Sequence, residues 1–239
     1  MIRKFLITLI FLTIIIAVVG GCTKQAATPT PLTAEQIIDK SSQNMEDITS
    51  FHFALDQAGG GTPIAMGIEM KKASGDVVRP DRLKMTIKGT FSGMVLEVEM
   101  ITVSGVIYMT NPLSGKWEIP PEEFNILSVL DPNAFIASVM RDITGLVKLN
   151  DEESGGVTCY HLSGSINSDD LSAITGSSVK GVAINVEVWV GKDDLLLRTV
   201  KLTGKITEAE VPGIVRTLSL SDFDEAVSIE LVELLKISS

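Results

Sequence analysis

Between Phe51 and Met100 the chain keeps a period of two. Phe51, Phe53 and Leu55 alternate with His52, Ala54 and Asp56, and Ile64, Met66, Ile68 and Met70 alternate with Ala65, Gly67, Glu69 and Lys71. Leu83, Met85 and Ile87 continue against Lys84, Thr86 and Lys88, and Leu96, Val98 and Met100 against Glu97 and Glu99. Successive side chains of a strand point to opposite faces, so this alternation describes antiparallel strands with one wet face and one apolar face. Short strands follow near Ile107 and Trp117. The pattern resumes at Gly156 to Ile166, Val182 to Val190, Leu195 to Lys205, Ile214 to Asp222 and Val227 to Leu231, which makes about ten or eleven strands.

Two segments keep a helical period instead. Thr33 with Gln36 forms a capping-box pattern, and Ile37, Ile38, Ser41, Met45 and Ile48 share a face. Asp131-Pro132 reads as a helix start with proline in the first turn, and Phe135, Ile136, Val139, Met140, Ile143 and Leu146 make a stripe running to about Val147. A short helix is expected near Asp169 to Ile174. An antiparallel sheet of this length has to curl, and its apolar face needs a cover. The expected fold is α+β: a strongly curved antiparallel sheet, a half-barrel, with two main helices on its concave face.

Two helices are too few to fill such a trough, and a gap lined with Met, Leu, Ile and Phe is a site for acyl chains. The candidate lining is Phe51, Phe53, Met66, Ile68, Met70, Met85, Ile87, Leu96, Val98 and Met100. Four of these are methionines, whose flexible thioethers adapt to ligands of variable shape or equally fill an irregular core. The set also assumes one register, because a slip by one residue would turn it to the other face.

Before the domain stand Arg3, Lys4 and an uncharged run from Phe5 to Val19, the charged and apolar parts of an export signal over residues 1–21. The run is short and poorly flanked for a membrane span. It closes on Val19-Gly20-Gly21-Cys22, which resembles a bacterial lipobox, so Cys22 is the expected site of diacylglyceryl attachment and two acyl chains suffice for stable anchoring. Residues 22–32, with Ala26-Ala27-Thr28-Pro29-Thr30-Pro31, read as the lipidated cysteine and a flexible linker, and residues 33–239 as a single domain. The expected location is the extracytoplasmic face of the cell membrane; Lys24 at the second place after the cysteine leaves the leaflet open.

The formal net charge is −10, and loss of Arg3 and Lys4 with the signal makes the mature chain more acidic still, which argues against nucleic acid as a partner. Cys159, the one other cysteine, has no partner for an internal disulfide and reads as a small buried hydrophobe. His52 and His161 stand on different predicted strands, and no HExxH, GxSxG, P-loop, GxGxxG or CxxC motif occurs. Asp151-Glu152-Glu153 and Asp193-Asp194 look like solvated turns without the alternating oxygen ligands of a calcium loop. No catalytic residue, metal site or cofactor is assigned, and no enzymatic activity is expected.

A lipobox, the Ala34 to Ile48 helix, Val106-Ile107-Tyr108-Met109 with Gly115-Lys116-Trp117 beyond, and Asp131-Pro132 before a helix follow one another along the chain. Gly156 to Gly164 (GVTCYHLSG), Val188-Trp189-Val190 with Asp194 to Arg198, and Leu218 to Phe223 (LSLSDF) complete the series. This order of parts resembles the LppX/LprG type of mycobacterial lipoproteins. The resemblance implies a half-barrel akin to carriers of the LolA and LolB type, with a hydrophobic pocket for acylated lipids or lipoglycans, carried or presented at the cell envelope. The alternative function is a structural or sensing lipoprotein that binds an envelope protein partner through a filled core and an exposed apolar patch.

Overall fold

The computed structural model describes residues 31–64, 67–120, 136, 139–172 and 178–230. The first element is helix α1 (Ala34–Asp47), opened by the capping box seen in the sequence: Thr33 Oγ1 accepts from the Gln36 amide, and the Gln36 side chain accepts from the Thr33 amide. The strands follow in chain order as β1 (Ser50–Ala58), β2 (Thr62–Pro63), β3 (Glu69–Val78), β4 (Arg82–Phe91), β5 (Met94–Val103), β6 (Val106–Thr110) and β7 (Trp117–Glu118). After residues 119–143 come β8 (Thr144–Lys148), β9 (Glu152–Ser154), β10 (Val157–Asn167), a 3₁₀ turn (Ser168–Leu171), β11 (Ala183–Gly191), β12 (Leu197–Thr203) and β13 (Val215–Ser221).

These strands make one antiparallel sheet in the order β7-β6-β5-β4-β3-β1-β13-β12-β11-β10-β8, with β2 on β3 and β9 on β10. The chain therefore walks outward from β1 to one edge, crosses to the far edge, and walks back until β13 closes against β1. The path runs from β7 to β8 without pairing those two ends, so the sheet is unclosed, and it is curled.

Register aligns the apolar faces of the two halves into one surface. Leu162, Val188, Val200, Leu218, Leu55, Ala73, Ile87 and Val98 are successive cross-strand partners over eight strands, from β10 to β5. A neighbouring row joins Leu220, Phe53, Gly75, Met85, Met100 and Met109. Gly75 is required where Phe53 and Met85 flank it, because an added Cβ would sit 2.1 Å from the Lys84 carbonyl oxygen. Eight strands at about 4.8 Å spacing are about 34 Å wide, whereas one helix is only about 10–12 Å across. Both ends of the long row, Leu162 and Val98, are nonetheless buried, in the same core cluster as Ile37, Ile38 and Met45 of α1 and as Ile136, Val139, Met140 and Ile143.

Several expectations are corrected. The stretch Ile64 to Met70 is not one strand: Thr62 pairs with Met70, the Ile64 amide donates to the Ile68 carbonyl, and Gly67 takes a φ of +72° in the bend between them. A bulge between Met70 and Lys72 then switches parity, so Met70 and Ala73 are both buried although they are an odd number of residues apart. The second helical stripe stops at Arg141, and Thr144–Lys148 is an edge strand, because its backbone groups pair with β10 and Gly145 sits at a φ of +62°. The expected short helix near Asp169 to Ile174 opens as a 3₁₀ turn at Ser168–Leu171, with Ser172 helical and 173–177 outside the described residues, and residues 227–230 carry no strand pairing. Among the described residues thirteen strands replace the ten or eleven expected, because β2 and β9 are too short to show a period and β8 lies where the end of a helix was expected. The expected start of the second helix, Asp131-Pro132, and residues 1–21 lie outside the described residues.

Candidate functional site

The inner face of the sheet is the candidate. Phe51, Phe53, Met70, Met85, Ile87, Val98 and Met100 are buried in its cluster, and Leu96 packs against it half-buried. Ile68 is buried as well, but in the bend before β3 rather than on a strand. Met66 and Cys22 lie outside the described residues. The candidates all come from the first half of the fold, whereas the second half gives as much of the surface through Leu162, Val186, Val188 and Val200. Their alternation was visible in the sequence; that β13 pairs with β1, and so joins the halves, was not.

One polar feature interrupts this face. Arg216 of β13 lies opposite Leu202 and Gln57, at the end of the sheet where the segment 204–214 connects β12 to β13. Its guanidinium pairs with Glu210, whose side chain is 0% exposed, and Nη1 also donates to the Gly204 carbonyl at 3.1 Å. Glu210 Oε2 accepts from the amides of Ile206 (2.8 Å) and Thr207 (3.1 Å). The Glu210 carboxylate is thus met by Arg216, by two amides and by the Thr62 hydroxyl at 3.4 Å, and the connection is stapled to the sheet. Nothing in the sequence flagged this pair, because its members are six residues apart in a loop and a strand.

The opposite face carries the charges. Asp56 pairs with Lys72, Lys88 with Glu97 at 3.0 Å, and His52 with Asp76 at 2.7 Å. His161 stacks on Trp189 at 4.3 Å between centroids, with Nε2 3.1 Å from Glu187 and Nδ1 3.4 Å from Glu152. The Lys201 ammonium, hydrogen-bonded to Glu187, holds that carboxyl below its usual range against the effect of burial. Among the described residues the hydrogen-bond partners of the two histidines are carboxylates, Asp76 for His52 and Glu187 for His161. Burial pushes the Cys159 thiol up, away from the reactive thiolate, and its Sγ donates to the Val157 carbonyl at 3.3 Å. An open groove of about 490 Å³ over β8, β10 and β11 is lined by Thr144, Gly145, Ser163, Gly164, Ser165, Asn185, Val186 and Glu187. Among the described residues no acidic, histidine and cysteine group could hold a metal ion, and no helix is long and apolar enough to cross a membrane.

Comparison with known proteins places this architecture. The family model for the LppX_LprAFG lipoprotein matches residues 33–229. The chain belongs to that family. A lipoarabinomannan carrier protein LprG of Mycobacteroides abscessus is 25% identical over 213 residues, which are 88% of this chain and 90% of the relative. Among solved structures, LprF of Mycobacterium bovis covers 82% of this chain and 95% of its own at 15% identity and a TM-score of 0.64. LppX of Mycobacterium tuberculosis covers 82% and 98% at 18% identity and a TM-score of 0.61. At those identities the two structures establish the family fold. The expectation drawn from the order of motifs, from GVTCYHLSG to LSLSDF, is therefore correct.

Proposed function

We propose that this protein is a membrane-anchored, non-enzymatic carrier that takes acylated lipids or lipoglycans onto the inner face of its sheet, under α1 and the helix ending at Arg141, and presents them at the cell envelope. The observation that carries the reading is the apolar row continuous across eight strands, a surface far larger than one helix can occupy. The LprG relative, a lipoarabinomannan carrier, supports a lipoglycan as the cargo class. In this reading Cys22 carries the diacylglyceryl anchor on the extracytoplasmic side. Phe51, Phe53, Met66, Met70, Met85, Ile87, Leu96, Val98 and Met100 meet the acyl chains, and Ile68 backs the bend beside them. Each methylene moved from water to such a face gains about 0.8 kcal/mol, close to what it gains in a bilayer, so transfer is reversible without an energy source.

Native mass spectrometry of the chain from Thr23 onward, before and after organic extraction, tests this. Co-purified masses in the lipid range that are displaced by added acylated lipid, and reduced in a folded Val98→Trp variant, are expected. A mass that stays free of lipid after incubation with envelope lipids would overturn the carrier reading in favour of a protein-binding lipoprotein.

A further inference from the structure

The two ends of the sheet differ in polarity. At one end the turns are Arg79–Asp81, Ser104–Gly105, Gly155–Gly156, Lys192–Leu196 and Asp222–Glu225, mostly polar, with Val106 exposed beside Ser104–Gly105 and Leu195, Leu196 and Phe223 packed against the core. At the other end the β4–β5 hairpin closes on Ser92 and Gly93, at φ of 49° and 81°, a two-residue turn flanked by the paired Phe91 and Met94. Beside that turn Phe91 is 38%, Met94 58% and Val95 85% exposed. The β6–β7 turn points to the same end with Leu113, and the β12–β13 connection with Val211, both exposed.

This apolar tip is continuous with the interior. Phe91 shares the inward parity of Leu83, Met85 and Ile87, and Met94 that of Leu96, Val98 and Met100. Along β5 burial falls from complete at Met100 and Val98, through half-buried Leu96, to exposed Met94. One apolar stripe therefore leaves the core and ends in solvent.

We propose that the β4–β5 hairpin tip is a docking lip that inserts Phe91, Met94 and Val95 into the surface of a lipid bilayer, so that acyl chains pass along the stripe without crossing water. The occupant follows from three observations. The ten residues Thr23–Leu32 between Cys22 and Thr33 span at most about 36 Å, so an anchored chain cannot move far from the membrane. The stripe leads to the face where acyl chains are proposed to lie. The chain's net charge of −10 leaves apolar insertion, rather than attraction to anionic headgroups, as the means of docking. The lip rests on the carrier reading for its purpose, while its location is tested without any cargo.

The full lipidated protein is reconstituted in phosphatidylcholine vesicles, with and without phosphatidylglycerol. An environment-sensitive fluorophore is attached either at Val95→Cys or, at the opposite end, at Ser104→Cys; buried Cys159 stays unlabelled. Quenching by nitroxide-bearing lipid is expected at position 95 and not at 104, in both vesicle types. Equal quenching at the two positions, or none at 95, overturns the lip and leaves the carrier reading standing. In the same vesicles Met94→Asp should slow lipid uptake several-fold while leaving final occupancy unchanged; unchanged uptake by a folded Met94→Asp protein also overturns it. Loss of occupancy in the unsubstituted protein would instead count against the carrier reading.

Discussion

At the scale of single residues, the most consequential pair is Glu210 with Arg216, because it sits in a face that is otherwise apolar. Arg216→Met leaves a carboxylate with 0% exposure, two amide donors and the more distant Thr62 hydroxyl but no counter-charge, so it should cost about 3–5 kcal/mol in urea unfolding. The double variant Glu210→Gln/Arg216→Met should recover most of that loss, since it leaves no unpaired charge; additive losses would show that the pair is not coupled. Asp224 makes a different prediction. Its Oδ1 accepts from the Thr49 amide and hydroxyl, both at 2.7 Å, and those bonds, the amide's first, hold the carboxyl below its usual range. A carboxyl that titrates lower when folded stabilises the fold above its unfolded value of about 4, and that contribution disappears as pH falls through the folded value. The urea midpoint of the native protein should therefore fall more steeply between about pH 5 and pH 2 than that of Asp224→Asn, the two curves converging in acid. Parallel curves would contradict the assignment.

At the scale of elements, α1 shows what a sequence can and cannot reveal. Its start was legible, because Thr33 and Gln36 satisfy first-turn amides locally. Its end was read to within one residue, from the change of period after Ile48, but how that end is capped was not, because Ile48 takes a strand-like φ and ψ rather than a glycine cap and the last carbonyls are met by a residue from the β3–β4 turn. Arg79 Nη1 donates to the carbonyls of Met45 (2.8 Å), Glu46 (2.9 Å) and Ile48 (2.7 Å). Arg79→Ala should cost about 1–3 kcal/mol in chemical unfolding, more than the roughly 1 kcal/mol expected for Thr33→Ala. If the two costs are equal, the long-range cap contributes no more than the local one. The same division runs through the sheet. Alternation in β1, β4, β5 and β10 to β13 identified strands and faces, since period two is a local property. It missed the bend at Gly67, the bulge after Met70 and the change to strand at Thr144, where pairing partners far along the chain decide the backbone. Half of the candidate face was likewise legible only as strands, because which strands adjoin is set by the β1–β13 closure.

At the scale of the whole molecule, the proposed carrier role and the proposed hairpin lip together predict how lipid would move. A lipid that leaves a bilayer through water exposes its acyl chains, and each methylene adds about 0.8 kcal/mol to that barrier, so spontaneous exchange slows about fourfold per methylene. A lipid that slides from the bilayer onto Phe91 and Met94, and from there past Leu96 to Val98 and Met100, exchanges one apolar contact for another at every step. Transfer between vesicles of labelled lipids differing only in chain length should then show a much weaker dependence on length when the anchored protein is present than when it is absent. The equilibrium distribution should hardly change with length, because bilayer and protein solvate the added methylenes alike. A catalysed rate that still falls about fourfold per methylene would mean that the chains cross water before they reach the sheet, and the apolar tip would have no part in loading.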